Sequence, residues 1–299
     1  MKYLKLFENH TQYEQYITGE TAVLPNVSHC IKEEEVHYNP YVHNYANDYL
    51  TFVAKENGTF RFTPITSRND NIISYSTDDG STWIEGNSVE VNSGDKVMWK
   101  GTMTPASLSW TSHPIAGIGR FSTTNNFDVQ GNAMSLLYGD DFKGQTSLSG
   151  KSYAFAYLFE NTKVVNAENL SLPATKLAMY CYGYMFHSCT SLVTAPELPA
   201  TTSEVECYQY MFNGCTSLTS APELYATTLN VSCYRYMFYG CTNLSSITCL
   251  ATNISASDCT SGWVDGVAAS GTFTKAASMS SWATGNNGIP NGWTVQDYQ

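Results

Sequence analysis

Two cysteine ladders that share one period constrain this chain more than any other feature. Cys181, Cys207, Cys233 and Cys259 are spaced 26 residues apart, as are Cys189, Cys215 and Cys241. Of nine cysteines, only Cys30 and Cys249 stand outside the ladders. Self-similarity at a fixed period of roughly 20–50 residues marks an array whose units bury their apolar faces on one another. The words around the cysteines repeat too. Cys207-Tyr208-Gln209-Tyr210-Met211-Phe212-Asn213-Gly214-Cys215-Thr216-Ser217-Leu218 recurs at 181–192 and 233–244. Ala-Pro-Glu-Leu stands at 195–198 and 221–224; an earlier copy, one residue longer, spans 158–173, and a fading one spans 259–267.

Within a unit, Thr202 or Thr228 is expected to cap a short helix with Val205, Tyr208, Met211 and Phe212 as its apolar stripe. Gly214 and Gly240 stand where a left-handed C-terminal cap is wanted, with Ser188 as a more strained first copy. Cys-Thr-Ser-Leu then reads as an extended rung. Rungs paired as parallel β would sit about 4.8 Å apart and line up Leu192, Leu218 and Leu244, and Leu198, Leu224 and Leu250, as a core. The ladder cysteines read as small, buried, reduced core residues. Their eight-residue offset lacks the close pairs of zinc sites, so neither metal nor cofactor is expected.

Over about 158–267 this pattern resembles the BspA-like leucine-rich repeat family. The resemblance implies a right-handed, ribbon-like solenoid used in surface adhesion, and it supplies no catalytic residues. The 26-residue period is slightly longer than the family's common unit.

The expected fold is mainly β with short helices, in four parts. An N-terminal arm covers 1–45, a β-sandwich 46–147 and the leucine-rich-repeat-like solenoid 148–270. A Gly/Ser/Asn-rich cap over 271–299, with Phe273, Trp282 and Trp293, covers the last open edge. In the second part Leu50 and Phe52, then Phe60 and Phe62, alternate with polar residues, and Glu56-Asn57-Gly58 reads as a hairpin turn between them. Further strands are expected at 72–75, 89–91 and 96–99, the last two joined by Asn92-Ser93-Gly94-Asp95, giving seven or eight in all. Ser76-Thr77-Asp78-Asp79-Gly80-Ser81-Thr82-Trp83 fits S-x-D-x-G-x-T-W and resembles the Asp-box of sialidases and related β-proteins. That resemblance implies a turn whose aspartate accepts backbone N–H groups above a packed tryptophan. The motif occurs once, and four arginines (Arg61, Arg68, Arg120 and Arg235) are too few for a sialidase site.

Composition argues against several functions. The net charge is −11, from 15 basic and 26 acidic residues, and no segment has the basic footprint that a phosphate backbone requires. No apolar run approaches the roughly 18 residues of a membrane span, and the first ten residues lack the apolar core of a secretory signal. Charged residues make up only 14%, while 21 tyrosines and many serines and threonines give a hydroxyl-rich aromatic surface suited to adhesion. No catalytic constellation is visible. The six histidines (His10, His29, His37, His43, His113 and His187) lack an H-E-x-x-H pairing, there is no G-x-S-x-G elbow, and Asp140-Asp141 reads as a loop. His29, His37 and His43 beside Glu33, Glu34 and Glu35 leave open a metal site in the arm, against a solvated acidic turn.

The arm is too short for a core of its own. Its words Leu24-Pro25-Asn26-Val27-Ser28 and Glu35-Val36-His37-Tyr38-Asn39-Pro40 look like the opening of virion-associated proteins of gut Bacteroides (crAss-like) phages. The resemblance implies a non-enzymatic virion surface protein: a head fibre, decoration or tail-associated chain, made in the host cytoplasm and released by lysis. The arm would attach to other virion proteins, and the repeats would bind host-surface or mucosal glycans or proteins. A homo-oligomer, a trimer first, fits such a role. The alternative is a bacterial cell-surface adhesin of the BspA-like type. Candidate binding residues come from positions that vary between repeats while Tyr-Met-Phe stays fixed. These are His187, Asn213 and Tyr239 in one column, and Gln209 and Arg235, after Gly183, in another.

Overall fold

A computed structural model describes residues 44–65, 72–107, 116–279 and 282–299, and the backbone of two short strands before them. Those strands, β1 (Lys2–Tyr3) and β2 (Lys32–Glu33), pair antiparallel with Lys2 opposite Glu33. They belong to a unit, Met1–Asn44, distinct from the compact unit Tyr45–Gln299. The rest of the arm, including His10, His29, Cys30, His37 and His43, lies outside the described residues, as does His113.

The chain is mainly β with few short helices. Strands β3 (Leu50–Ala54), β4 (Gly58–Pro64), β5 (Ile73–Ser76), β6 (Ile84–Glu85), β7 (Ser88–Val91) and β8 (Lys96–Gly101) come first. β9 (Ala106–Ser107), β10 (Ala116–Gly117), β11 (Gly119–Thr123) and β12 (Phe127–Asn132) follow. One sheet runs β6-β5-β8-β3-β12, all antiparallel, and a second runs β11-β4-β7. Burial alternates along β4 and β8, so each sheet turns one apolar face inward.

The two turns do not make hairpins. β3 and β4 lie in different sheets, and so do β7 and β8. The alternating phenylalanines explain this: Phe52 from one sheet meets Phe60 from the other edge to face at 5.2 Å, and Phe121 at 4.6 Å. The corners brace each other, with Ser93 N donating to Asn57 Oδ1 at 2.9 Å and Gly94 N to the Ala54 carbonyl at 2.8 Å. A Cβ on Gly58 would overlap the side chain of buried Asn125, which donates to the Glu56 carbonyl.

The Ser76–Trp83 turn forms as its sequence implies. Asp78 accepts from Ser76 Oγ (2.7 Å), Thr82 N (2.9 Å) and Thr82 Oγ1 (2.6 Å), and Ser76 Oγ accepts from Gly80 N. Trp83 packs edge-on against Tyr49 beneath the Lys100 ammonium. Asp140 is not in a plain loop. It sits in a 3-10 turn, Gly139–Phe142, after the short helix α1 (Ser135–Tyr138), and takes hydrogen bonds from Tyr49 and Lys100, each 2.7 Å.

In the repeats the expected helix is replaced by a chain of linked turns. Backbone φ is positive at every fourth residue: Glu206, Tyr210 and Gly214, and likewise Tyr180, Tyr184 and Ser188, or Ser232, Tyr236 and Gly240. Between them the N–H groups alternate. Cys207, Gln209, Met211, Asn213 and Cys215 donate three residues back, at 3.0–3.3 Å. Glu206, Tyr208, Tyr210, Phe212 and Gly214 donate to the next repeat, to the carbonyls of Val231, Cys233, Arg235, Met237 and Tyr239, at 2.8–3.1 Å. A helix would satisfy these groups internally and leave nothing to bind a neighbour. Each non-glycine left-handed residue costs about 1–2 kcal/mol, which the inter-repeat bonds and packing offset. Thr202 and Thr228 are exposed and cap no helix, and Ser203 Oγ accepts from Asn230 N of the next repeat instead.

Inward residues therefore come as pairs every four: Cys207 and Tyr208, Met211 and Phe212, then Cys215, all buried. Val205 is not one of them; it is half-buried in an outward column with exposed Met179 and Val231. Like rings stack along the array, Phe186 on Phe212 at 5.5 Å and Phe212 on Phe238 at 5.8 Å, each 5° from parallel. The second cysteine ladder has a polar task as well. Cys189, Cys215 and Cys241 each donate S–H to a phenylalanine carbonyl of the preceding repeat (Phe159, Phe186 and Phe212) at 2.9–3.1 Å. Thr162 holds the equivalent place in the first copy and donates to Phe159 O.

Leu192, Leu218, Leu244, Leu198 and Leu224 are buried as expected, but Leu250 is not in register. Leu224 bridges to Cys249, because Ile247 and Cys249 take the inward positions of β15 (Ser246–Cys249). The cysteine outside both ladders thus joins the core.

The array is sealed to its neighbours at both ends. β12 pairs in parallel with β13 (Val164–Asn166) and β14 (Leu170–Ser171), and Phe121 stacks on Phe159 at 5.8 Å. At the other end β15 pairs in parallel with β16 (Thr272–Lys275) and β16 with β17 (Thr294–Asp297). Trp263 spans the Tyr234 and Phe238 columns, and Trp282 covers it at 5.7 Å.

Eight of the nine cysteines are free and buried, and burial raises the thiols of Cys181, Cys189, Cys233, Cys241 and Cys249 to about 12. At pH 8 only about one such thiol in 10⁴ is thiolate. We expect at most one fast-reacting thiol in the native chain and nine after denaturation; two or more fast thiols would contradict this packing. Hydrogen bonds from the Thr82 hydroxyl, the Thr82 N–H and Ser76 lower the Asp78 carboxyl to about 2. A depressed folded-state value stabilises above the ordinary carboxylate range near about pH 4 and is lost as pH falls through about 2. The stability gap between the native chain and D78N should therefore be constant above about pH 5 and close toward pH 2. A gap independent of pH would show that the charge of Asp78 contributes nothing.

Candidate binding surface

The outward columns of the repeats are fixed by the same four-residue period. The residue after each inward pair and its one-residue spacer is a tyrosine: Tyr157, which is buried, then Tyr184, Tyr210 and Tyr236, which are half-buried. Their rings form a continuous ladder, with centroids 4.8, 4.4 and 4.9 Å apart. Arg120 covers one end, its guanidinium 4.5 Å from the Tyr157 ring and its Nη1 2.5 Å from Glu160. Gly262 covers the other. A Cβ there would stand 2.4 Å from the Tyr236 ring, so only glycine lets the last tyrosine lie flat.

The five residues singled out by their variation flank this ladder, with unequal exposure. His187, Asn213 and Tyr239 lie in one column, between Glu160 before them and Asp265 after. His187 packs edge-on against Tyr184 at 5.2 Å, with Nδ1 3.3 Å from Glu160. Asn213 is half-buried, its amide donating to the Tyr236 carbonyl at 3.5 Å. Tyr239 is 43% exposed and meets Tyr236 edge to face at 5.7 Å. On the other side Arg235 is half-buried, its guanidinium 5.3 Å from the Tyr236 ring. Gln209 departs from expectation: at 6% exposure it is buried and offers no surface of its own. It occupies the position between Gly183 and Arg235, and its neighbours close over it.

The tyrosines themselves and Arg120 were not among the residues chosen from the sequence. Variation between repeats points to the flanking columns, whereas the ladder is constant. The signal is Tyr at 184, 210 and 236, themselves left-handed turn positions, and it becomes a ladder only when the turn chain replaces the helix. The ladder also changes the chemistry on offer. The ring faces of Tyr184 and Tyr210 are spent on each other, which leaves their half-buried edges, and Tyr239 is the exposed ring. Burial raises the phenols of Tyr157, Tyr184 and Tyr210 above their ordinary value, which keeps them protonated as donors. Burial likewise raises the Glu206 carboxyl, against the opposing pull of Arg235.

A second recess lies over β15, β16 and β17, lined by Glu223, Thr248, Thr274, Gln296, Asp297 and Tyr298. Its groups already have partners: Tyr225 donates to Glu223, Gln296 to Thr274, and Lys275 pairs with Asp297. Among the described residues no group of three or more His, Cys, Asp or Glu is placed to hold a metal.

The close fit at Gly262 is open to test. Gly262 and Gly214 both have positive φ (60° and 74°), but a Cβ on Gly214 would stand 3.5 Å from its nearest neighbour. G214A is expected to cost about 1–2 kcal/mol for the backbone alone, and G262A distinctly more, because it also displaces Tyr236. Equal losses in urea unfolding would mean that the ladder end is not closed by Gly262.

No family model, curated protein or solved structure matches this chain, so its function is argued from this geometry.

Proposed function

We propose that the chain is a non-enzymatic surface-binding protein of a phage virion. In this reading residues 148–270 form a BspA-like leucine-rich-repeat solenoid that extends a β-sandwich, residues 271–299 form its cap, and the arm over 1–45 attaches the chain to other virion proteins. The observation that carries the binding role is the tyrosine ladder. A rigid row of aromatic edges and hydroxyls, flanked by residues that change from repeat to repeat, suits glycan or protein surfaces of the host or its mucus. The wording of the arm and the hydroxyl-rich, weakly charged composition support the virion setting.

Repeated weak contacts gain about 10²–10⁴ in avidity when copies are linked. The chain displayed multivalently is therefore expected to bind host cells or mucus, and single copies only weakly. Substituting His187, Asn213, Arg235 and Tyr239 together by Ala should abolish that binding and leave the fold, since none fills an inward column. Gln209 is left in place because it is buried. Mass spectrometry of purified virions should find the chain. Its recovery from a bacterial surface fraction instead would favour the adhesin reading, and unchanged binding by the fourfold variant would remove the role assigned to this face.

A further inference from the structure

Within the binding role proposed above, we infer that Arg235 and Tyr239 anchor a saccharide carrying an oxyanion, a carboxylate or a sulfate ester. Among the described residues Arg235 and Lys151 are the half-buried cations without an ion pair, while Arg61, Lys96, Lys143, Lys163 and Lys176, also without one, are exposed. Lys55, Lys100 and Arg120 form ion pairs with Asp128, Asp140 and Glu160 at 2.5–2.8 Å, and Lys275 pairs with Asp297. Arg235 makes no ion pair within 4.0 Å among the described residues, and its Nε is buried with no hydrogen-bond partner. The comparison with Arg120 is direct, because both guanidinium groups lie over terminal rings of one ladder. Arg120, over Tyr157, is neutralised by Glu160. Arg235, over Tyr236, has no carboxylate within 4.0 Å among the described residues, and Glu206 acts on it only from further away.

A half-buried guanidinium on an aromatic platform is weakly hydrated and holds its fork in place, which favours a planar or tetrahedral oxyanion. Nε is occluded by the chain, so the acceptor would take the terminal amino groups. Tyr236 touches both Arg235 and Tyr239, so the charge and the exposed ring flank one residue. The ring of Tyr239 can carry the apolar face of a sugar while Arg235 holds its acid group. A net charge of −11 favours a singly charged sugar over a polyanion.

The test uses the full chain, displayed multivalently, against three probes: a glucuronate-terminated oligosaccharide, its neutral glucose-terminated counterpart and a sulfated form of that neutral one. At least one acidic probe should bind about tenfold or more tighter than the neutral one, and R235M, which keeps the apolar stem, should lose that increment with unchanged thermal unfolding. Binding of the carboxylate probe alone or the sulfate probe alone identifies the group. E206Q leaves Arg235 in place and removes a competing negative charge, so it should tighten acidic-probe binding and keeps the test valid if R235M unfolds. Equal binding of neutral and acidic probes, no binding of either acidic probe, acidic binding that survives in folded R235M, or E206Q binding no tighter would overturn the inference. Host-surface binding that survives R235M would sink this inference while leaving the proposed function standing. Absence of any host-surface binding would sink that function itself.

Discussion

Every second N–H in the turn chains points out of its own repeat and into the next. This one arrangement governs the rest of the array. A repeat cannot satisfy its backbone alone, so it exists only between neighbours, and removal of a neighbour leaves a row of unpaired donors. The same bonds hold each repeat in register, which is why Phe186, Phe212 and Phe238 stack within a few degrees of parallel and why each S–H of the second ladder finds a carbonyl of the repeat before it. Left-handed residues every four positions are the local cost of that arrangement, and four of the later ones (Gly214, Gly240, Gly262 and Gly266) are glycine.

The ends follow the same logic. A stack needs a first surface that already presents matching groups, and β12 with Phe121 supplies one, so the aromatic column Phe159, Phe186, Phe212 and Phe238 continues into the phenylalanine cluster between the two sheets. At the far end tryptophans replace the smaller repeat residues, covering more area with fewer rungs. The two corner turns serve this continuity. By sending β3 and β4 into different sheets they bring Phe52, Phe60 and Phe121 together where the column arrives.

The same periodicity that fills the core on one side builds a tyrosine ladder on the other. Core and surface are therefore not independent: a change of register that shifted Met211 would also shift Tyr210. The flanking columns escape this coupling, because their side chains neither stack inward nor carry the ladder. They are free to differ, as His187, Asn213 and Tyr239 do, and to hold a guanidinium with no ion pair within 4.0 Å among the described residues, as at Arg235.

The sequence by itself determined the period, the copies it contains, the strands around Phe52, Phe60 and Val97, the Asp78 turn and the burial of the cysteine ladders. Each is a local pattern or an identity repeated at fixed spacing, and such patterns survive without knowledge of partners. It also carried the four-residue pairing of Cys-Tyr and Met-Phe, which reads equally as one face of a helix until the backbone is known. Only the tertiary structure decided that the helix is a turn chain, since the choice rests on donors to a repeat 25 residues away. It alone sent the two turns across sheets, put Cys249 in place of Leu250 and buried Gln209 while leaving Tyr239 exposed. These outcomes depend on which surfaces meet, and a residue's own neighbours in sequence do not encode that.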